Sequence, residues 1–263
     1  LILDEPTSVL PPQMVEKLFD TPLRLRDGGV SILLISHKLE EIRAICDRAT
    51  ILRGGRVTGD VEPREHDAHD LARMMIGRDM PAPISALPLS GGEKRLEIIG
   101  LDHQPDDPFA VPLSGLSLEV RAGEILGIAG VSGNGQSELA ALISGETMLG
   151  REQRDRIYMM GMDVGRLDAA ARRQLGFAFV PEDRLGRGAV PEMSLVLNSL
   201  LTAHPLKLLR RGLIERARAM TFTTDCIHQY DVRTSGPDAE AGTLSGGNLQ
   251  KFVVGREIML SPK

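Results

Sequence analysis

The chain has no tryptophan, and only 3% of its 263 residues are aromatic. Little surface is therefore available for stacking a run of unpaired bases, the usual device of single-strand binders. An excess of positive charge is missing too. There are 31 Lys and Arg against 36 Asp and Glu, a formal net charge of −5, whereas nucleic-acid-binding domains carry a basic face. The two cysteines, Cys46 and Cys226, follow no metal-ligand or redox spacing and read as reduced cytosolic thiols. No apolar run approaches the roughly 20 residues of a membrane-spanning helix. No signal peptide opens the chain, and its first residue is Leu rather than Met, as expected of a fragment. What is present, 42% hydrophobic and 25% charged residues, is the balance of a globular protein with room for one large domain or two ordinary ones.

Alternating strand and helix patterns fill the first section. Leu1–Leu3 is an apolar strand end, and Pro12–Arg26 has helical spacing of Val15, Leu18, Phe19, Leu23 and Leu25. Strand Val30–Ile35 and helix Leu39–Asp47 follow. Thr50–Leu52 and Arg56–Thr58 then flank Arg53-Gly54-Gly55 as a hairpin, and His69–Ile76 reads as a closing helix. Met80–Gly92 is rich in Pro, Ala and Gly, the composition of a linker. Beyond it come strands Leu96–Leu101, Leu116–Val120 and Glu124–Ala129, helix Glu138–Ser144 and strand Gly176–Val180. Met193–Tyr230 reads as mostly helical, with breaks near Pro205 and Gly212, so a parallel sheet is expected to carry a helical insertion.

Three groups of residues carry chemistry. Gly130-Val131-Ser132-Gly133-Asn134-Gly135-Gln136-Ser137 lies between a predicted strand and a predicted helix. In that context glycines let the backbone curl with its N–H groups inward, around a phosphate at the helix N-terminus. Ser137 stands where a hydroxyl would ligate Mg²⁺, and Glu138 follows in the first turn. Gln136 stands where such loops usually have Lys, and a lost charge-assisted contact costs roughly 1.5–3 kcal/mol. Asp4 and Glu5 end an apolar strand, the place where an α/β sheet presents groups to a ligand. Asp4 is placed to hold Mg²⁺ through water, Glu5 to act as general base on water, and His37, after the next strand, to sense a γ-phosphate. Leu244-Ser245-Gly246-Gly247-Asn248 opens a helix whose amides and dipole can face an anion. Leu89-Ser90-Gly91-Gly92-Glu93 repeats that pattern without a helix behind it and reads as coincidence. Phe109 is the one aromatic between Leu96 and the glycine loop. Adenine stacking is open to it, and core packing is the commoner use of such a ring.

Carboxylates first, glycine loop in the middle and Ser-Gly-Gly last is not the order of one intact ATPase domain. Together these residues resemble the ATP-binding subunit of an ABC transporter, in the tandem form where two nucleotide-binding domains share a chain. Asp4-Glu5-Pro6-Thr7 resembles its Walker B motif, Ser8-Val9-Leu10-Pro11 its D-loop, with Pro11 where Asp often stands, and His37 its switch histidine. Gly130–Ser137 resembles the second domain's Walker A, Glu182 in Val180-Pro181-Glu182-Asp183-Arg184 its Q-loop position, and Ser245–Asn248 its signature. The branch resembled is bacterial import of simple sugars and nucleosides, with Gly133–Gln136 closer to the nucleoside type.

The resemblance implies an α/β P-loop NTPase fold. Residues 1–80 would be the C-terminal part of a first domain, 81–92 a linker, and 93–263 a second domain ending before its Walker B, with a helical subdomain at about 186–246. It implies ATP and Mg²⁺ as cofactors. Composite sites are implied, in which Asp4, Glu5 and His37 serve the same nucleotide as Ser245–Asn248. The implied function is ATP hydrolysis driving import through integral-membrane permease subunits, alongside a solute-binding protein, at the cytoplasmic face of the inner membrane. No nucleic-acid partner is expected. The parts of both domains that this chain lacks are required, so it is expected not to turn over ATP alone. The alternatives are a soluble ABC ATPase acting on nucleic acid or ribosomes, or a nucleotide-responsive regulatory module.

Overall fold

The computed structural model describes residues 1–7, 10–77, 91–131, 133–203, 206, 208–210 and 213–263. The chain divides into two compact units, Leu1–Leu87 and Pro88–Lys263. The composition-marked linker lies largely outside the described residues.

In the first unit, β1 (Ile2–Asp4) pairs in parallel with β2 (Leu33–Ile35), with Asp4 opposite Ile35. The helix between them, α1 (Pro12–Asp27), begins with Pro at its first position, where a missing N–H costs nothing, and buries Phe19. The strand expected from Val30 is shorter, because only its last three residues face β1. Next come α2 (Leu39–Ile45) and the expected hairpin, β3 (Ala49–Arg53) with β4 (Arg56–Val61). The last helix, α3 (Ala68–Ile76), is capped by Asp67, whose carboxylate accepts the Asp70 N–H at 2.7 Å and is held below the usual carboxylate range by that bond.

In the second unit, β5 (Lys94–His103) pairs with β6 (Leu113–Arg121) on one side and β7 (Ile157–Met159) on the other, and β8 (Met162–Asp163) extends the sheet. Every pairing in it is antiparallel, which corrects the expected parallel sheet. Between β6 and β7, α4 (Gln136–Ser144) lays Leu139 and Leu142 into a core with Ile98, Leu101, Ile157 and Val164. Each fully buried side chain of this kind contributes about 1.5–3 kcal/mol, so the helix behind the glycine loop is firmly bedded.

The strands expected at Glu124–Ala129 and Gly176–Val180 do not form. A continuous apolar run marks a strand only where neighbours flank it, and neither segment has a ladder partner among the described residues. Ile125 is accordingly 94% exposed.

After α5 (Ala169–Gln174), the region expected to be mostly helical holds α6 (Leu195–Leu200), a short antiparallel pair of β9 (Leu209–Arg210) with β10 (Leu213–Ile214), and α7 (Arg216–Gln229). The expected breaks at Pro205 and Gly212 fall outside the described residues. Finally α8 (Gly246–Ile258) packs Leu249, Phe252 and Val253 against Leu195 and Cys226. Burial pushes the Cys226 thiol up to about 11, so it stays protonated and serves as packing. Of the Ser-Gly-Gly copy, Leu89 and Ser90 lie outside the described residues, and Gly91–Glu93 leads into β5.

Candidate functional site

At the end of β1, Asp4 is exposed and the chain turns sharply. Glu5 has a left-handed backbone, φ 41°, which a non-glycine residue adopts only when its surroundings hold it there. The holding contacts are visible: Glu5 N–H donates to the Ile35 carbonyl at 2.8 Å, and Glu5 Oε1 lies 2.7 Å from His37 Nδ1. An ionised carboxylate only accepts, so Nδ1 carries the proton. The structure thus brings together the carboxylate and the histidine singled out from sequence. Both remain open to solvent.

Beneath this pair lies a clasp that sequence reasoning missed. Buried Thr7 donates its hydroxyl to Glu41 Oε2 at 2.7 Å, and Lys38 Nζ donates to the Thr7 carbonyl at 2.8 Å. Lys38 also sits 3.4 Å from Glu41 Oε1. The clasp ties the turn after Glu5 to the start of α2, which carries the chain past His37. A buried Glu inside an ordinary helical pattern gives no sequence signal.

The glycine loop runs into α4. Gly135, the N-cap, has φ 97°, and a Cβ there would lie 2.7 Å from Leu113 Cδ2. The left-handed φ is what favours glycine here, while the leucine tip would have to shift for a larger residue. Ser137 is exposed in the first turn of α4. Glu138, also expected to contact the nucleotide, accepts the Val111 N–H through its Oε1 at 3.0 Å. Phe109 stands two residues before Val111 and is 94% exposed, so core packing is ruled out for that ring. Ser132 lies outside the described residues, while Gly130, Val131, Gly133, Asn134 and Gln136 complete the loop. At the far end of α4, buried Arg172 donates to the carbonyls of Leu142, Ile143, Val164 and Leu167. It anchors the helix C-terminus with a charge of favourable sign.

The Ser-Gly-Gly helix presents Ser245, Gly246 and Gly247 to solvent, with Ser245 as N-cap. Asn248 is half-buried and committed: its Nδ2 donates to Ser245 Oγ at 2.8 Å, and its Oδ1 accepts the Arg233 N–H at 2.9 Å. It shapes the helix start. Glu182 is exposed and follows the buried Pro181. From the same stretch, Arg184 reaches the helix start, where a Cβ on Gly246 would meet its Nη1 at 2.8 Å. The far end of α8 is fixed by a buried charge cluster. Glu257 accepts from Arg173 at 2.6 Å and from Arg256 at 3.2 Å, while Arg256 donates to the Asn198 and Gly188 carbonyls, each at 3.0 Å. Arg173 also donates to the Phe179 carbonyl at 3.5 Å, so the cluster touches the chain on both sides of Glu182.

The family model described as ABC transporter matches residues 113–263, a range that takes in the glycine loop, Glu182 and the Ser-Gly-Gly helix. The chain belongs to the ABC transporter family. It is 38% identical over 265 residues to the glucose import ATP-binding protein of Haloferax volcanii, covering 100% of this chain and 48% of that protein. It is 35% identical to the nucleoside import ATP-binding protein of Lactococcus lactis, covering 100% and 51%. With a ribose import ATP-binding protein of Rubrobacter xylanophilus the identity is 37%, covering 97% and 49%. The chain thus spans about half the length of the curated relatives it matches. Among solved structures, a dimeric bacterial ABC transporter cassette is similar with a TM-score of 0.50 at 17% identity, covering 64% of this chain and 70% of that one. The fold is that of the ABC cassette, an α/β P-loop NTPase, and no helix among the described residues is long and apolar enough to cross a membrane. In this ABC chain Glu41, Arg172 and Glu257 are the supporting residues that the motifs did not reveal.

Proposed function

We propose that this chain is part of the ATP-binding subunit of an ABC importer of simple sugars or nucleosides. In this reading residues 1–80 belong to a first nucleotide-binding domain and 93–263 to a second. The subunit hydrolyses ATP at the cytoplasmic face of the inner membrane to drive permease subunits served by a solute-binding protein. The relatives named for glucose, ribose and nucleoside import support that class of solute. The observation that carries the nucleotide reading is the bond from Val111 to Glu138. It ties the loop bearing the exposed ring of Phe109 to the first turn of the helix behind the glycine cradle.

Phosphates are assigned to the amides of Gly130–Ser137, and adenine to Phe109. In the other half-site, Glu5 accepts a proton from water, and His37, fixed through Nδ1, orients the group that water attacks. Signature residues Ser245–Asn248 supply a helix N-terminus for a nucleotide's phosphates. The exposed oxygens of Ser137 and Asp4 are hard donors that suit Mg²⁺. Bound at Ser137 in the one half-site, or near Asp4 in the other, such an ion would neutralise phosphate charge.

Replacing Phe109 with Ala is expected to weaken MgATP binding by about 1–3 kcal/mol, the usual worth of stacking a base on an aromatic ring, and to leave pyrophosphate binding unchanged. Calorimetric titration of both ligands checks this. Equal losses for the two ligands, or none for MgATP, would remove the adenine assignment.

A further inference from the structure

Gln136 does more in this loop than lack a charge. Its Nε2 donates to the Val131 carbonyl at 3.1 Å, and its Oε1 accepts the Asn134 N–H at 3.0 Å. The side chain therefore bridges the glycine loop from one limb to the other. It also lies close over the loop floor, since a Cβ on Gly130 would sit 2.5 Å from Gln136 Nε2. Lysine could make the first of these bonds and not the second, because an ammonium has three donors and no acceptor. An amide has both, and here it uses both within the loop. The Asn134 N–H lies on the stretch leading into α4, where backbone N–H groups gather to receive an anion.

We infer that Gln136 is an internal ligand of the phosphate loop, competing with the nucleotide for the Asn134 amide. The inference rests on the phosphate-loop assignment above and adds to it. An incoming phosphate must displace the Gln136 oxygen before it can use that amide, so the loop binds phosphate more weakly than its glycines alone allow. A simple loss of positive charge predicts something different. If Gln136 were only a weak phosphate donor standing in for Lys, removing its side chain would lower affinity further. If it occupies the loop, removing it raises affinity.

The test compares the 263-residue chain with its Gln136→Ala variant in two measurements. Residue-resolved amide exchange on the ligand-free protein reads the internal contact, and titration with inorganic pyrophosphate reads the competition. Expected are slow exchange at Asn134 in the parent chain, fast exchange in Gln136→Ala, and pyrophosphate binding about three- to tenfold tighter in the variant, as the release of modest neutral hydrogen bonds provides. Unprotected Asn134 in the parent overturns the inference whatever the binding shows. Protection that Gln136→Ala removes without tightening pyrophosphate binding also overturns it, since the contact then does not compete. No pyrophosphate binding by either chain at millimolar concentration, with Asn134 protected and then released, would instead remove the phosphate assignment itself and the competition with it. Gln136→Glu serves as a second probe if the Ala variant fails to fold. Its carboxylate keeps an acceptor for Asn134 and loses the donor to Val131, so retained protection with weaker binding supports the inference, and lost protection opposes it.

Discussion

Replacing Glu257 with Ala lowers the stability of the unit Pro88–Lys263 by about 3–5 kcal/mol, the range found when one partner of a buried ion pair is removed. The size follows from what is left behind. Glu257 is 2% exposed and accepts from Arg173 and Arg256. Without it, two guanidinium groups face each other with no carboxylate between them. Burial already pulls the Arg256 guanidinium below its ordinary value, and Glu257 is the chief influence opposing that. The Arg187–Glu146 pair gives the contrast: both side chains are largely exposed, and Glu146→Gln should cost less than about 1 kcal/mol. Urea unfolding followed by far-UV circular dichroism compares the two, which suits a chain with no Trp. A loss below about 1 kcal/mol for Glu257→Ala would mean that the cluster is not the clamp described.

In the full-length protein, Glu5→Gln is expected to reduce steady-state ATP turnover by about 10²–10⁴-fold, the usual worth of a general base, with MgATP affinity little changed. Gln preserves the shape of the side chain and can still accept from His37 Nδ1, so the φ 41° turn and the 2.7 Å contact survive. What disappears is the capacity to take a proton. Phosphate release at saturating MgATP, alongside equilibrium binding, separates the two effects, and a reduction under tenfold would remove Glu5 from the role. The 263-residue chain alone should show no sustained turnover. Its first unit carries Glu5 and His37 without a glycine loop, and its second carries the loop without such a pair. Steady hydrolysis by this chain, abolished by Glu5→Gln, would contradict that division.

Local signals reached far in this sequence. A helix N-terminus behind three glycines, the end of an apolar strand and a Ser-Gly-Gly helix start are each set by a few consecutive residues. Accordingly α4, the β1 turn with Glu5, and α8 stand where the motifs put them. Sheet pairing is not local. The apolar run at Glu124–Ala129 has the composition of a buried strand, yet strand formation needs a neighbour that no property of the run itself supplies. The β9–β10 pair inside a region expected to be helical has the same origin, since its two-residue strands are too short to show a period. Side-chain partners were the least legible. Nothing in the spacing says that Glu138 holds Val111, that Asn248 holds Ser245 and Arg233, or that Gln136 spans its own loop. The exposure of Phe109 reverses the ordinary expectation for a lone aromatic, which is to pack inside.

The bond from Val111 to Glu138 has a thermodynamic consequence. Because Glu138 belongs to the helix that begins at the glycine loop, the contacts proposed for the base at Phe109 and for the phosphates at the loop would be mechanically connected through this bond. The free energies of recognising the two ends then do not sum as independent terms. A change at Phe109 and a change in the loop should show a coupling energy of the kind that connected residues give and distant ones lack. On the proposed assignment, discrimination among nucleotides would then be a joint property of the helix and the loop it tethers.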